Sequence, residues 1–285
     1  MEVIRAKVLG YCMGVRRAVE TAGDALLQNT DKKKVYTLGP LIHNQTALDA
    51  LKRRGLEILP EGDVDKADKD SVVIIRAHGV PPEVIERLED RGCSIINATC
   101  TRVTASQKIA AQYAVKGAVV ILAGDRNHGE VTGIAGYAGS HFALVQNRAD
   151  AKALDLKNTD TAVLLSQTTF SPVEFEAIAG ILKKKCHLID VMNTICPATK
   201  ERQKALRKLC PQVNGVLVIG GRNSANTSRL LLAAKKLCAH ADLIETAGEI
   251  PAEYFAMQKV GITAGASTPD EVINEVEQKL LEKNL

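Results

Sequence analysis

Short apolar runs of four to six residues alternate with 10 to 15 residue stretches of helical periodicity along the whole chain. The opening MEVIRAKVLG has strand-like alternation. Later runs occur in VYTLGPLIHN, VVIIRAHGVPPEVIERL, AVVILAGDRNHGE, AVLLSQTTFSPVEFEAI, GVLVIGGRNSAN and VGITAGASTPDEVINEV, each meeting a small polar loop. Uninterrupted runs of this length, separated by helical segments, predict strands buried on both faces in parallel sheets, with helices packed against them. Three of the helical segments place Pro and an acid in the predicted first turn. Proline at that position gives up no useful N–H, and the acid suits the positive end of the helix dipole. Ligand-facing loops in such sheets lie beyond the carboxyl ends of the strands.

The alternation repeats with a longer period, which emerges when the chain is cut at Cys12, Cys100 and Cys196. Intervals of 88 and 96 residues separate them, and 89 residues follow the last. Each sits in a loop that opens a helical pattern: GYCMGVRRAVE, ATCTRVTASQKIA and TICPATKERQKAL. At 28 to 31 residues after each cysteine a strand-like run ends at His43, His128 or Ser224. At 66 to 71 residues another run ends at His78, Thr168 or Ser267. The expectation is an α/β protein of three similar small domains, 1–98, 99–194 and 195–285, whose strand ends face inward and gather three thiols and a polar ring. The charge-rich EGDVDKADKD at 61–70 reads as a solvated loop without a function of its own.

Composition narrows the function. The chain has 285 residues, 46% of them apolar and 25% charged, which suits a globular protein of two or three domains and excludes disorder and fibres. A net charge of +4, no Trp, four Phe and five Tyr offer neither a basic face nor stacking platforms for nucleic acid. No apolar run reaches the length of a membrane span, and the opening residues carry no export signal, so a cytoplasmic location is expected. In a reducing compartment the seven cysteines are expected as free thiols or metal ligands.

The spacing of Cys12, Cys100 and Cys196 matches no zinc-finger pair and no ferredoxin run. Two readings stay open for them: small buried apolar residues, or thiolates stabilised at helix N-termini and ready to bind metal. Three thiolates fall one short of the four-cysteine shell of a cubane cluster. One iron would then lack a protein sulfur and stand open as a Lewis acid. Cys93, Cys186, Cys210 and Cys238 fall outside the repeat and read as core or passive thiols. His43, His78, His128, Thr168, Ser224, Asn226 and Ser267, with helix N-terminal amides, suit a phosphate or diphosphate. Neither a Walker A sequence nor a G-x-G-x-x-G after a strand is present. Glu130, two residues after His128, is the candidate proton donor, against the plain alternative of a surface glutamate. His141, His187 and His240 read as surface or structural residues.

Nine motifs in order, GYCMGVRRAVE, GPLIHN, RAHGV, NATCTRV, GDRNHGEVTG, SQTTFS, ICPATKERQ, GGRNSANTSRL and TAGASTPDEV, span nearly the whole chain. In these the chain resembles the 4-hydroxy-3-methylbut-2-enyl diphosphate reductases, which catalyse the last step of the non-mevalonate isoprenoid pathway. The resemblance implies one [4Fe-4S] cluster per chain on Cys12, Cys100 and Cys196, amid three α/β domains in pseudo-threefold arrangement. It implies a diphosphate subsite of His43, His78, Ser224, Ala225, Asn226 and Ser267 with His128 nearby, and proton-relay roles for Glu130 and Thr168. The implied reaction is a two-electron reductive dehydroxylation giving isopentenyl and dimethylallyl diphosphate, fed by a one-electron donor such as a ferredoxin or flavodoxin. Two departures stand out: Gly129 where the family usually has Pro, and Ala225 where a second Ser is common. The rival readings are a quinolinate synthase-like dehydratase and a zinc-stabilised anion-binding module.

Overall fold

The computed structural model describes residues 1–157 and 159–282. In chain order the elements are β1 (Glu2–Arg5), α1 (Met13–Gln28), β2 (Val35–Leu38), α2 (Gln45–Arg53), β3 (Leu56–Leu59), β4 (Val72–Ile75), α3 (Pro82–Asp90) and β5 (Ser94–Asn97). Next come α4 (Thr101–Val115), β6 (Val119–Ala123), α5 (Gly129–Ala138), β7 (Phe142–Val145), α6 (Arg148–Ala153), β8 (Thr161–Ser166), α7 (Pro172–Leu182) and β9 (Leu188–Val191). The last are α8 (Pro197–Leu209), β10 (Gly215–Ile219), α9 (Ala225–Lys235), β11 (His240–Ile244), β12 (Lys259–Ala264) and α10 (Asp270–Glu282).

The strands form three four-stranded parallel sheets, in the orders β3-β2-β4-β5, β7-β6-β8-β9 and β11-β10-β12-β1. The α/β class with parallel sheets is thus as the alternation predicts, and all three sheets share one strand order. The opening strand is where the cut into 1–98, 99–194 and 195–285 differs from the ladders. β1 pairs with β12, Glu2 opposite Lys259 through Arg5 opposite Ile262, so the first strand runs in the sheet of the C-terminal segment. The reason is the edge of β12, five of whose six residues are buried and whose N–H and C=O groups would otherwise lie unpaired.

Two compact units divide the chain: Met1–Arg16 with Ile42–Ala50 and Pro197–Leu285, and Arg17–Leu41 with Leu51–Cys196. The β10 sheet lies in the first unit, and the other two sheets in the second. Side-chain alternation along each strand supplies both faces of a sheet. Leu217, Ile219 and Ile262 meet Val272, Ile273, Val276 and Leu280 of α10, while Val216 and Val218 meet Leu206, Leu209 and Leu230 from α8 and α9. In the second unit Ile121 and Leu164 pack under Phe175, Ile178 and Leu182 of α7. The opposite face, Val120, Leu122, Val163 and Leu165, packs under Ala110 and Ile134 of α4 and α5. Pro172 opens α7 with Ser171 as its cap, accepting from the Glu174 amide, so Ser, Pro and acid each satisfy the helix start. Among the described residues no helix is long and apolar enough to cross a membrane.

Candidate functional site

Each of the three repeat cysteines follows the fourth strand of a sheet and immediately precedes a helix or its first turn: Cys12 before α1, Cys100 before α4, Cys196 before α8. Each amide donates to a carbonyl in the loop after the third strand of the same sheet. The bonds are Cys12 to Ala266 at 3.0 Å, Cys100 to Ala77 at 3.0 Å and Cys196 to Thr168 at 2.8 Å. The same backbone device thus fixes all three thiols, and each remains half-buried, whereas Cys93, Cys186 and Cys210 are buried. The Val15 amide lies 3.5 Å from Cys12 Sγ, so the first turn of α1 faces this sulfur. Soft sulfur donors of this kind suit an iron-sulfur group.

The second unit assembles an acid-base group. Glu130, in the first turn of α5, is 1% exposed, and its carboxylate takes two hydrogen bonds from one residue. The Thr168 amide donates to Oε1 at 2.6 Å, and the Thr168 hydroxyl donates to Oε2 at 2.7 Å. His128 caps α5, with its Nδ1 accepting from the Glu130 amide at 3.2 Å. That bond requires a lone pair on Nδ1, so the neutral ring carries its proton on Nε2 and presents a donor there. The His78 ring stands edge-on to His128, with centroids 5.0 Å apart and planes at 87°.

The first unit assembles a set of anion-compatible donors. Ser224 caps α9, its hydroxyl accepting from the Thr227 amide and its carbonyl from Ser228. Ala225 and Asn226 follow in the first turn, where backbone N–H groups lack intrahelical acceptors, so the missing hydroxyl at Ala225 leaves its main-chain donor intact. Asn226 is 5% exposed, and its side-chain Nδ2 has no acceptor among the described residues. A buried donor without a partner costs about 1 to 3 kcal/mol, which a bound acceptor would recover. The Ser267 hydroxyl donates to the His43 carbonyl at 3.0 Å, so this serine also fixes the backbone that presents His43.

The repeat alignment is off by one residue at Thr168. Turns closed by Gly79 N–H to Arg76, Phe170 N–H to Gln167 and Thr268 N–H to Gly265 make Ala77, Thr168 and Ala266 equivalent. Thr169 is therefore the counterpart of His78 and Ser267, and the extra reach of Thr168 is toward Glu130. Sequence reasoning also missed Gln167, which is fully buried. It accepts from the Asp125 amide at 2.8 Å and donates to the Thr169 hydroxyl at 3.0 Å, tying two strand-end loops together. Its signal was an amide closing the otherwise apolar run AVLLS. Asn44 is a second omission; it caps α2 through the Ala47 amide beside His43. His187 and His240 are exposed and His141 is half-exposed.

Comparison with known proteins gives one consistent result. The LytB protein family matches residues 3–281. The chain is 50% identical over 289 residues to 4-hydroxy-3-methylbut-2-enyl diphosphate reductase of Treponema denticola, covering 99% of this chain and 100% of that one. It is 38% identical to the enzyme of the same name from Aquifex aeolicus, over 99% of this chain and 96% of the other. Among solved structures, the E-1-hydroxy-2-methyl-but-2-enyl-4-diphosphate reductase of Plasmodium falciparum matches with a TM-score of 0.91 at 27% identity, covering 97% of this chain and 87% of that one. A second solved reductase, titled as the terminal enzyme of the non-mevalonate pathway, matches at 37% identity with a TM-score of 0.74, over 99% of this chain and all of the other.

Proposed function

Because the chain belongs to the LytB family, the 4-hydroxy-3-methylbut-2-enyl diphosphate reductases, we propose the following division of labour among its residues. An iron-sulfur group belongs to this family. We assign Cys12, Cys100 and Cys196 to hold it as one [4Fe-4S] cluster per chain, with the segments between them acting as three repeats. When bound, such a cluster supplies single electrons and an iron that lacks a protein sulfur.

The diphosphate falls to His43, His78, Ser224, Asn226 and Ser267, the Ala225 amide and the Nε2–H of His128. The Asn226 donor and the first-turn amides of α9 support this part of the assignment. Glu130 and Thr168 handle the proton. With the carboxylate ionised, the Thr168 hydroxyl donates to Oε2. With Glu130 protonated, Glu130 donates and the Thr168 hydroxyl proton can turn outward. This pair therefore has two hydrogen-bonded states that differ by one transferable proton. The overall reaction consumes two electrons and two protons, breaks the carbon–oxygen bond of the allylic alcohol and releases water. Protonation of carbon at one or other allylic position gives isopentenyl or dimethylallyl diphosphate. A low-potential one-electron protein, a ferredoxin or flavodoxin, is the proposed donor, and the cytoplasm the proposed location.

The observation that carries this reading is the buried Glu130 carboxylate clamped by both donors of Thr168, next to His128, whose Nδ1 accepts from the Glu130 amide. Anaerobic turnover of 4-hydroxy-3-methylbut-2-enyl diphosphate with a low-potential reductant is the direct test. Formation of the two C5 diphosphates is expected, and colourless, zinc-loaded protein without turnover would remove the reading.

A further inference from the structure

An open groove of about 450 Å³ lies beside Cys100, wholly within the second unit, and no residue assigned to the reaction lines it. Thr99 and Thr101, the chain neighbours of Cys100, both line it, and Thr99 is buried, so the groove reaches the backbone that carries this thiol. The Thr99 amide donates to the Asn97 side-chain oxygen at 3.0 Å and fixes the loop there. Arg17, from α1, borders the same groove, with its Nη2 3.5 Å from the Asn97 carbonyl. The remaining wall is one face of α4. Val103, Gln107 and Ala110 are buried on the other face, whereas Thr101, Thr104, Ala105 and Lys108 line the groove. Spacing of three and four residues puts these four on one stripe, which runs on to Val115, 90% exposed.

This surface carries charge of one sign. Residues 97–118 include Arg102, Lys108 and Lys116 and no Asp or Glu. Arg17, Arg102 and Lys108 are exposed, and none forms an ion pair with a described carboxylate. The net charge of +4 conceals the patch, because acids elsewhere in the chain offset it. Single solvated cations are ordinary on a surface. Here they flank small side chains that leave the backbone beside Cys100 approachable, and like charges around a concavity attract a partner of opposite sign. We propose that the groove between α1 and α4 is the docking surface for the one-electron carrier, an acidic protein whose carboxylates meet Arg17, Arg102 and Lys108. Transient redox encounters bury little area and are steered by charge, which suits a small, polar, cationic face. The carrier is oxidised by one electron at each encounter, and two encounters supply the two electrons that one turnover consumes. The proposal rests on the reductase reading, which creates the need for single electrons.

The test drives the holoenzyme with three reductants: methyl viologen, an acidic ferredoxin and an acidic flavodoxin. The variants are Arg17→Glu, Lys108→Glu, their double, and Lys184→Glu, an exposed cation following α7, which covers the opposite face of the sheet from α4. Reduced viologen is a small cation that needs no docking surface, so turnover with it should stay parental in every variant. With the protein carriers, the concentration giving half-maximal rate should rise about 10-fold in each single reversal and further in the double, since steering changes association by roughly 10- to 1,000-fold. Raising the ionic strength from about 0.01 M to about 0.15 M should slow the carrier-driven parent and barely change the double variant. Hydrogen exchange reads docking without turnover: oxidised carrier should protect amides 99–108 in the parent and in Lys184→Glu, and lose that effect in the double. If the double fails to fold, Arg17→Gln and Lys108→Gln should show the same changes at smaller size. Parental carrier dependence in the reversals, failure of both carriers where viologen succeeds, or protection of the groove by inorganic phosphate without protection by carrier would each overturn the docking surface and leave the reductase reading standing. Absence of turnover with all three reductants, together with carrier protection of 99–108 that the reversals abolish, would overturn the reductase reading alone.

Discussion

At Glu130 a single partner residue meets both carboxylate oxygens, so the side chain is held in one rotamer while retaining a place for a proton. Replacing it by Gln keeps the shape and most of the hydrogen bonding but removes the transferable proton. We expect Glu130→Gln to retain iron and substrate binding and to lose about 100- to 10,000-fold in kcat, the range typical of a general acid. Single-turnover kinetics at matched iron content check this, and turnover within a few-fold of the parent would take Glu130 off the catalytic list. Cys210 shows a residue outside the reaction that still titrates abnormally. Burial, with the neighbouring Cys238 thiol as a lesser cause, pushes its pKa from 9.0 up to about 11. The folded state therefore holds this proton where the unfolded chain has released it. Its contribution is complete below pH 9 and is lost as pH rises toward 11. Cys210→Ala is expected to flatten the fall in stability across that window relative to the parent, as read by denaturant melts at successive pH values.

Among the elements, β1 has the least predictable partner. It lies at the start of the sequence, yet its hydrogen bonds go to β12, over 250 residues away. Ile4 of β1 packs on the cluster formed by α8, α9 and the inner residues of β10. Ile4→Ala should cost about 1 to 2 kcal/mol, at the low end for a partly buried truncation. Hydrogen exchange locates the effect: amides of β12 should lose protection, while those of β2 and β4 should not. The opposite pattern would mean that the first strand belongs with the segment that follows it. The cysteines obey the same element logic, because each closes a fourth strand and opens a helix. The backbone bond from each cysteine to the third-strand loop shows that the repeat is one of local geometry as well as of spacing.

For the molecule as a whole, the proposed cluster would draw on all three of these junctions. Replacing Cys12, Cys100 or Cys196 singly by Ser is expected to remove most of the iron from anaerobically purified protein. Cys238→Ser should leave iron and activity near the parental level. Iron analysis with the visible absorption of the cluster measures both outcomes, and parental iron in Cys100→Ser would defeat the assignment. Family membership also decides between readings left open by the residues: relatives matched end to end are reductases, which leaves no support for the dehydratase or the zinc-bound module.

The sequence by itself determined the parallel α/β class, because uninterrupted apolar runs bounded by polar loops have few other ways to be buried. It also singled out the polar residues at strand ends, since a charged or hydroxylic side chain after such a run has no apolar explanation. Tertiary structure alone decided the partner of β1, because an open strand edge takes any strand that reaches it and the pattern carries no address. Nor could the repeat reveal that Thr168 is one residue out of step, or that Gln167 ties two loops together. Those roles depend on where side chains from separate loops meet, and the cost of burying a polar group is met there by neighbours far away in the chain.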